Sequence, residues 1–326
     1  MKIQKQMVRH SFPVSLFSVT FCLLLCVTSC KKEENNEIHS IGSLNSNAGV
    51  FSVSATKKVV FAPGNLQWLN DTVVSHSTAS NGTNDYQKGR WRFADHQYDI
   101  KGKAGTGTCG ETGELIDLFG WGTSGYDNTK PYDVNTFSDL LWKGIQLTGY
   151  DWGFFNTIYN PKTRTNDPYG TWHTLDGDEW DYLFYSRSGW SYNMVKIKFP
   201  NNSTVSGVLI YPDGWIEETW QSGWTVNNKT AVEMSKTDFE SAEAKGCAFL
   251  PAAGVYSYID SSYSEIGKEG YYWCSESDGE TLARMLRFYS KYSSGGILVG
   301  NGVKKNRGQA VRLAREVKDN SSSSSD

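Results

Sequence analysis

The sequence predicts an α+β protein built from short strands, two short helices and long ordered loops. Three observations carry that prediction. Phe, Trp and Tyr make up 14% of a chain that is only 38% hydrophobic, so rings rather than aliphatic side chains must fill the core. Thirty-two glycines and dense Asn, Asp and Ser punctuation cut the chain into short segments. All twelve tryptophans fall between Trp68 and Trp273, a span with few long aliphatic helical stretches.

The elements follow in order. Phe51-Ser52-Val53-Ser54 alternates as a strand does, and the pattern continues through Lys58-Val59-Val60-Phe61 to a turn at Ala62-Pro63-Gly64-Asn65. Residues 70–90 are polar and read as a loop, after which Trp91-Arg92-Phe93 alternates again. Residues 101–114 contain five glycines and are expected to form a mobile loop. Asp176-Gly177-Asp178-Glu179 matches a capping box, with Trp180, Leu183 and Phe184 on one face of the helix it starts. Thr237-Asp238-Phe239-Glu240 matches a second, running to Lys245 and stopped by Gly246. Cys247 to Pro251 reads as a buried strand. Tyr271-Tyr272-Trp273, Ala283 to Tyr289 and Ala310 to Leu313 read as strands as well.

The N-terminus specifies location. Residues 1–29 carry Lys2, Lys5 and Arg9, then an apolar run around Phe21 to Leu25, which together form a secretory signal segment. Its end, Val27-Thr28-Ser29-Cys30, resembles a bacterial lipobox, which implies acylation of Cys30 as the mature N-terminus. Each buried CH₂ of an acyl chain contributes roughly 0.8 kcal/mol, so several chains anchor a protein durably. The following Lys31-Lys32-Glu33-Glu34 resembles the signal that sends Bacteroidetes lipoproteins to the cell exterior, so an outer-membrane lipoprotein facing outward is expected. Residues 30–50 are a polar tether, 51–317 a single body with no linker interrupting it, and 318–326 a disordered, Ser-rich tail. No later stretch approaches the ~20 apolar residues of a membrane-spanning helix, and a net charge of −3 predicts no nucleic-acid partner. With Cys30 acylated, the body holds Cys109, Cys247 and Cys274. Either a Cys247–Cys274 disulfide or two buried thiols satisfies that odd count.

Six short motifs recur in a recognisable order. They are Trp172-His173-Thr174-Leu175, the helix at Glu179-Trp180, Leu209 to Trp215, Gly246 to Gly254, Gly270 to Ser275 and Gly308 to Leu313. This stretch, residues 171–315, resembles the Fibrobacter succinogenes major paralogous domain and related Bacteroidetes surface lipoproteins. That group is similar to the formylglycine-generating-enzyme branch of the C-type-lectin-like fold. The resemblance implies a lectin-like body in which the strands at Tyr271 and Val311 pair centrally and bury Trp273 and Val311. It further implies that residues 275–307 are displayed on one face.

The chemistry favours recognition over catalysis. Cys247 and Cys274 sit beside Phe249 and Trp273, and nothing near them supplies the copper-binding cysteine pattern of formylglycine-generating enzymes. His76, His96 and His173 are widely separated, so a histidine metal site is not expected. The calcium-binding motifs of animal C-type lectins are absent. Glu217 and Glu218 lie between Trp215 and Trp220, the one place where paired acids and rings could act on polysaccharide, although a solvated loop explains them equally well. No catalytic constellation emerges, and no cofactor or metal is expected. Most rings between Trp142 and Tyr159 are expected in the core. The C-terminal stretch alternates amphipathic, donor-rich side chains: Arg284, Arg287, Tyr289, Lys291, Tyr292, Asn301, Lys304 and Arg307. These are the candidate ligand-binding residues for a glycan or protein ligand, in a protein for recognition or adhesion. The same alternation also marks any one-sided strand with a solvated face. The alternative functions are a polysaccharide-acting enzyme and a structural subunit of a surface assembly.

Overall fold

Among the described residues, backbone pairing forms five small sheets, consistent with a mostly β, α+β-like architecture. The computed structural model describes residues 49–78, 84–107, 111–140, 142–289 and 296–317. Cys30, Cys109, Lys291, Tyr292 and the Ser-rich tail lie outside the described residues.

A five-stranded sheet runs Leu115–Ile116, Leu66–Thr78, Asn84–Phe93, Ile158–Asn160, Thr165–Asp167. Its long hairpin overturns the loop expected at 70–90. Ser75 pairs with Gln87 and Thr78 with Asn84 in an antiparallel ladder. Polar composition signals exposure to water and leaves the backbone free to pair; it was misread as coil. A four-stranded sheet orders Val232–Ser235, Tyr192–Lys198, Thr204–Ile210 and Ala248–Pro251. The expected buried strand after Cys247 is thus its edge, buried at every residue. Another four-stranded sheet orders Phe51–Ser52, Lys58–Phe61, Leu313–Glu316 and His173–Thr174, bringing both ends of the body into one ladder.

The helices follow their caps. Gly177–Asp181 has the expected capping box, with the Asp176 side chain accepting from the Glu179 amide at 2.7 Å and Glu179 returning to the Asp176 amide at 2.8 Å. Trp180, Leu183 and Phe184 are buried beyond it. The second helix spans Lys236–Ala244, and its cap is Ser235 rather than Thr237. The preceding strand runs directly into this helix, so the hydroxyl at the junction reaches the Asp238 amide first, at 3.1 Å. Gly246, at φ 92°, takes the left-handed position past its end.

Among the described residues, three hydrophobic clusters make the core. One gathers six fully or almost fully buried tryptophans, 68, 91, 121, 152, 172 and 273, around Phe93 and Phe119. A second joins Trp180, Leu183 and Phe184 to Tyr272, Leu286 and Phe288. The third fills the space between the Lys236–Ala244 helix and its sheet through Phe239, Ala242 and Phe249. Rings dominate the tryptophan-rich cluster, but the core as a whole mixes them with many buried Val, Ile, Leu, Met and Ala side chains, so the expectation of rings rather than aliphatics holds only in that cluster. The expected central pairing holds in reduced form: Ala310 donates to the Tyr271 carbonyl and accepts from the Trp273 amide, while the regular strand begins only at Leu313. Trp273 and Val311 are both buried.

Residues 101–107 are not the free loop that five glycines suggested. The buried Asp117 carboxylate accepts from the amides of Lys101, Gly102 and Lys103 at 2.6, 3.2 and 2.8 Å. Gly105 runs so close to Tyr132 that a Cβ there would sit 1.9 Å from its backbone. The glycines serve close approach here, which composition cannot distinguish from mobility. Trp142 departs from its expected core place in the opposite sense, being 81% exposed on a left-handed backbone at φ 56°.

Candidate functional site

The candidate residues lie on and beside a three-stranded antiparallel sheet, Glu269–Ser277, Leu282–Tyr289 and Ile297–Lys304. Leu282–Tyr289 is its central strand, and successive side chains point to opposite faces. Ala283 and Met285 enter the tryptophan-rich cluster, whereas Leu286 and Phe288 enter the cluster beneath the Gly177–Asp181 helix. Residues 275–307 are therefore split between two faces rather than displayed on one.

Arg284 falls on the helix side. Its Nη1 donates to Glu276 at 2.7 Å and to Asp178 at 3.1 Å, with Asp181 at 4.0 Å from Nη2. The Gly177 amide donates to both Glu276 oxygens, at 2.8 and 2.7 Å. A Cβ on Gly177 would meet the Arg284 guanidinium carbon at 2.4 Å, so glycine is what lets the arginine lie across this helix start. Burial works against the Arg284 charge, but its carboxylate partners outweigh it and raise its pKa. Arg284 is a structural clamp and leaves the list of ligand-binding candidates.

Arg287 and Tyr289 point the other way, where the structure brings together what the sequence left apart. Tyr271 stands across the ladder from Arg287, and Glu269 across from Tyr289. The Arg287 Nε and Nη2 donate to one oxygen of the buried Glu269, at 2.9 and 2.8 Å, and the Tyr271 hydroxyl donates to the same oxygen at 2.6 Å. The guanidinium carbon lies 4.3 Å from the Tyr289 ring centre and 5.0 Å from that of Tyr271. Arg307 approaches the Tyr271 ring at 6.0 Å. Each such contact contributes about 0.5–2 kcal/mol, according to how far it is desolvated. Burial first, and the bond to Glu269 second, raise the Tyr271 pKa, which keeps the phenol protonated and donating.

Next to this ladder lies a cleft of about 240 Å³ between the hairpin turn at Ser257, Tyr258 and Ile259 and the segment Gly302 to Arg307. Tyr258 and Ile259 are 44% and 84% exposed, an apolar lip that the hairpin Val255–Ser257 and Ser262–Ser264 holds out into water. Val303 is buried at the base, Lys304 is exposed with Nζ 3.4 Å from the Thr281 hydroxyl, and Arg307 belongs to both cleft and ladder. Asn301 is placed in the Ile297–Lys304 strand, but its side chain is outside the described set. The sequence reading missed Tyr271, Glu269 and the Tyr258–Ile259 lip. Alternation from Glu269 to Trp273 carried the signal for the first two. The lip follows only from knowing that this hairpin folds beside residue 307.

The other candidates resolve separately. Cys247 and Cys274 are free buried thiols in different hydrophobic clusters, so the disulfide considered for them is not formed, and burial pushes both thiols up, away from nucleophilic use. Glu218 caps the Thr219–Gln221 turn and pairs with Lys245 at 2.5 Å, while Glu217 points into solvent. Among the described residues no three His, Cys, Asp or Glu side chains converge to hold a metal ion, and no helix is long and apolar enough to cross a membrane. No family model, no curated protein and no solved structure matches this chain.

Proposed function

We propose that this chain is an outward-facing, Cys30-anchored surface lipoprotein with a C-type-lectin-like body, and that it recognises a glycan or protein ligand through the cleft bounded by Tyr258, Ile259, Lys304 and Arg307. The observation that carries the reading is the pre-arranged ladder Tyr289–Arg287–Tyr271 on one sheet face, extended by Arg307 from the turn after Lys304 and opening beside that cleft. Tyrosine and arginine fixed by buried partners lose little entropy on binding, and they are the residue types that dominate recognition sites. The six ordered motifs of residues 171–315, with a many-stranded architecture in which the described α-helices are short, support the lectin-like assignment. The signal segment and the Val27–Cys30 sequence support the anchor. An enzymatic role has weaker support, since Glu218, one of the two acids considered, is tied up as a turn cap and ion pair.

The test is an array of glycans and mucin-type glycoproteins probed with the purified full-length chain in detergent. It is compared with a Tyr258→Ala/Ile259→Ser variant, whose exposed side chains can be changed without touching the core. Specific binding that falls at least tenfold in the variant is expected. A wild-type chain that binds nothing on the array would sink the proposal.

A further inference from the structure

The three arginines of the C-terminal stretch are not equivalent. Arg284 is held by Glu276 and Asp178, and Arg287 by Glu269. Among the described residues, Arg307 contacts the Tyr271 ring but has no carboxylate partner. Lys304, three residues away on the cleft, reaches only the Thr281 hydroxyl. The residues lining the cleft include both of these cations and no acid. The nearby acids are placed elsewhere. Asp260 stands behind the cleft wall, accepting from the Ser257 side chain and from the Ser262 amide and hydroxyl, the last two at 3.3 and 2.8 Å. Asp278 stands at the opposite end, with its carboxylate 3.8 Å from the position a Gly302 Cβ would take. The cleft thus carries its cations at Lys304 and Arg307, with Asp278 near Gly302 and Asp260 bonded to Ser257 as the acids beside it. Its remaining lining is an apolar lip, a buried valine floor and the polar side chains of Ser257 and Asn306.

We infer that the ligand of this cleft is a carboxylated sugar, its carboxylate held by Arg307 and assisted by Lys304, with the sugar body resting against Tyr258. This deepens the proposed recognition function and rests on it. The shape of the argument is charge complementarity. A guanidinium presents a planar fork of donors that matches a carboxylate and is weakly hydrated, so it gives up water at modest cost. The ring of Tyr258 offers an apolar surface for the C–H face of a sugar, and the amide of Asn306 suits its hydroxyls, while the Ser257 hydroxyl, bonded to Asp260, can accept from one. An acidic peptide could answer the charge but makes little use of a single exposed ring flanked by small polar donors.

Calorimetric titration of the full-length chain in detergent tests this with paired probes: trigalacturonate against its methyl ester, and 3′-sialyllactose against lactose. The two acidic arms separate a uronic from a sialic source. At least one acid is expected to bind tenfold or more tightly than its neutral counterpart. Arg307→Ala should remove that preference at an unchanged melting temperature, with Arg307→Lys retaining part of it, and raising the salt concentration should weaken the acid alone. Equal binding of acid and ester, or an unaffected Arg307→Ala variant, overturns the carboxylate assignment; if such binding still depends on Tyr258, recognition itself stands. Binding of an Asp/Glu-rich peptide in place of every sugar overturns the sugar. Failure of all four probes, together with a blank glycan and glycoprotein array, removes the recognition function as well.

Discussion

Two buried titratable side chains near one strand set opposing pH dependences. Asp151 is fully buried and accepts from the Thr174 amide and hydroxyl at 3.0 Å each. Burial raises its pKa from 3.8 to about 7, against those hydrogen bonds. The folded state therefore binds a proton that the unfolded chain has released, and stability declines as pH rises from about 4 to about 7. His173, next to Thr174, has an unpartnered Nε2, and burial first, then Lys57, lowers its pKa from 6.5 to about 4. Its folded state resists protonation, so its contribution to stability is lost as pH falls from 6.5 toward 4. The two slopes, each at most about 1.4 kcal/mol per pH unit, offset one another through this window. Substitution should unmask each in turn. In Asp151→Asn, stability from urea melts should rise with pH between 4.5 and 6.5; in His173→Asn it should fall. Parallel slopes in both variants would show that neither group titrates with the fold.

At the scale of single elements, the loop at 101–107 owes its shape to its glycines together with one carboxylate from outside it. Asp117 satisfies three consecutive amides that have no strand to join; removing it leaves the buried Gly102 donor unpaired, at about 1–3 kcal/mol, and the two part-buried neighbours open to water. Asp117→Ala should accordingly raise amide exchange at Lys101, Gly102 and Lys103 by tenfold or more while the Gly177–Asp181 helix keeps its protection. Uniform loss of protection would mean that the loop is part of the global unit. The same contrast explains what was legible beforehand. The start of the Gly177–Asp181 helix was readable because its cap is local: Asp176 and Glu179 are three residues apart and bond to each other, whereas the Lys236–Ala244 start fell two residues from the expected one. The partner of residues 101–103 lies 14 to 16 residues away. The hairpin after Leu66 was hidden for a related reason, since its ladder satisfies backbone groups that polar side chains do not report. At the candidate site, composition marked the Leu282–Tyr289 strand, but not which arginines its two faces would hold in ion pairs.

For the molecule as a whole, the N- and C-terminal ends of the ordered body complete each other. Leu313–Glu316 lies between Lys58–Phe61 and His173–Thr174, pairing Ala314 with both Phe61 and His173. Leu313 and Ala314 are fully buried in two different clusters, so this one short strand seals both large cores at once. It is also the last described regular element, which places closure of the fold at the end of the chain. Losing a buried leucine alone costs roughly 2–5 kcal/mol, and here the ladder hydrogen bonds to two neighbouring strands would go with it. Against the 5–15 kcal/mol by which a domain of this kind exceeds its unfolded state, that is enough to abolish folding. A chain ending after Arg312 should show no cooperative thermal transition and should bind a hydrophobic dye, whereas one ending after Val317 should melt as the full-length protein does. The intermediate variant Leu313→Ala separates packing from pairing. If it melts 5–15 °C below the parent in a single transition, the strand acts through its buried side chain on a cooperative body. If the five-stranded sheet and the Lys236–Ala244 helix keep their amide protection in the Arg312-terminated chain, closure by the last strand is dispensable and the body divides into independently stable parts.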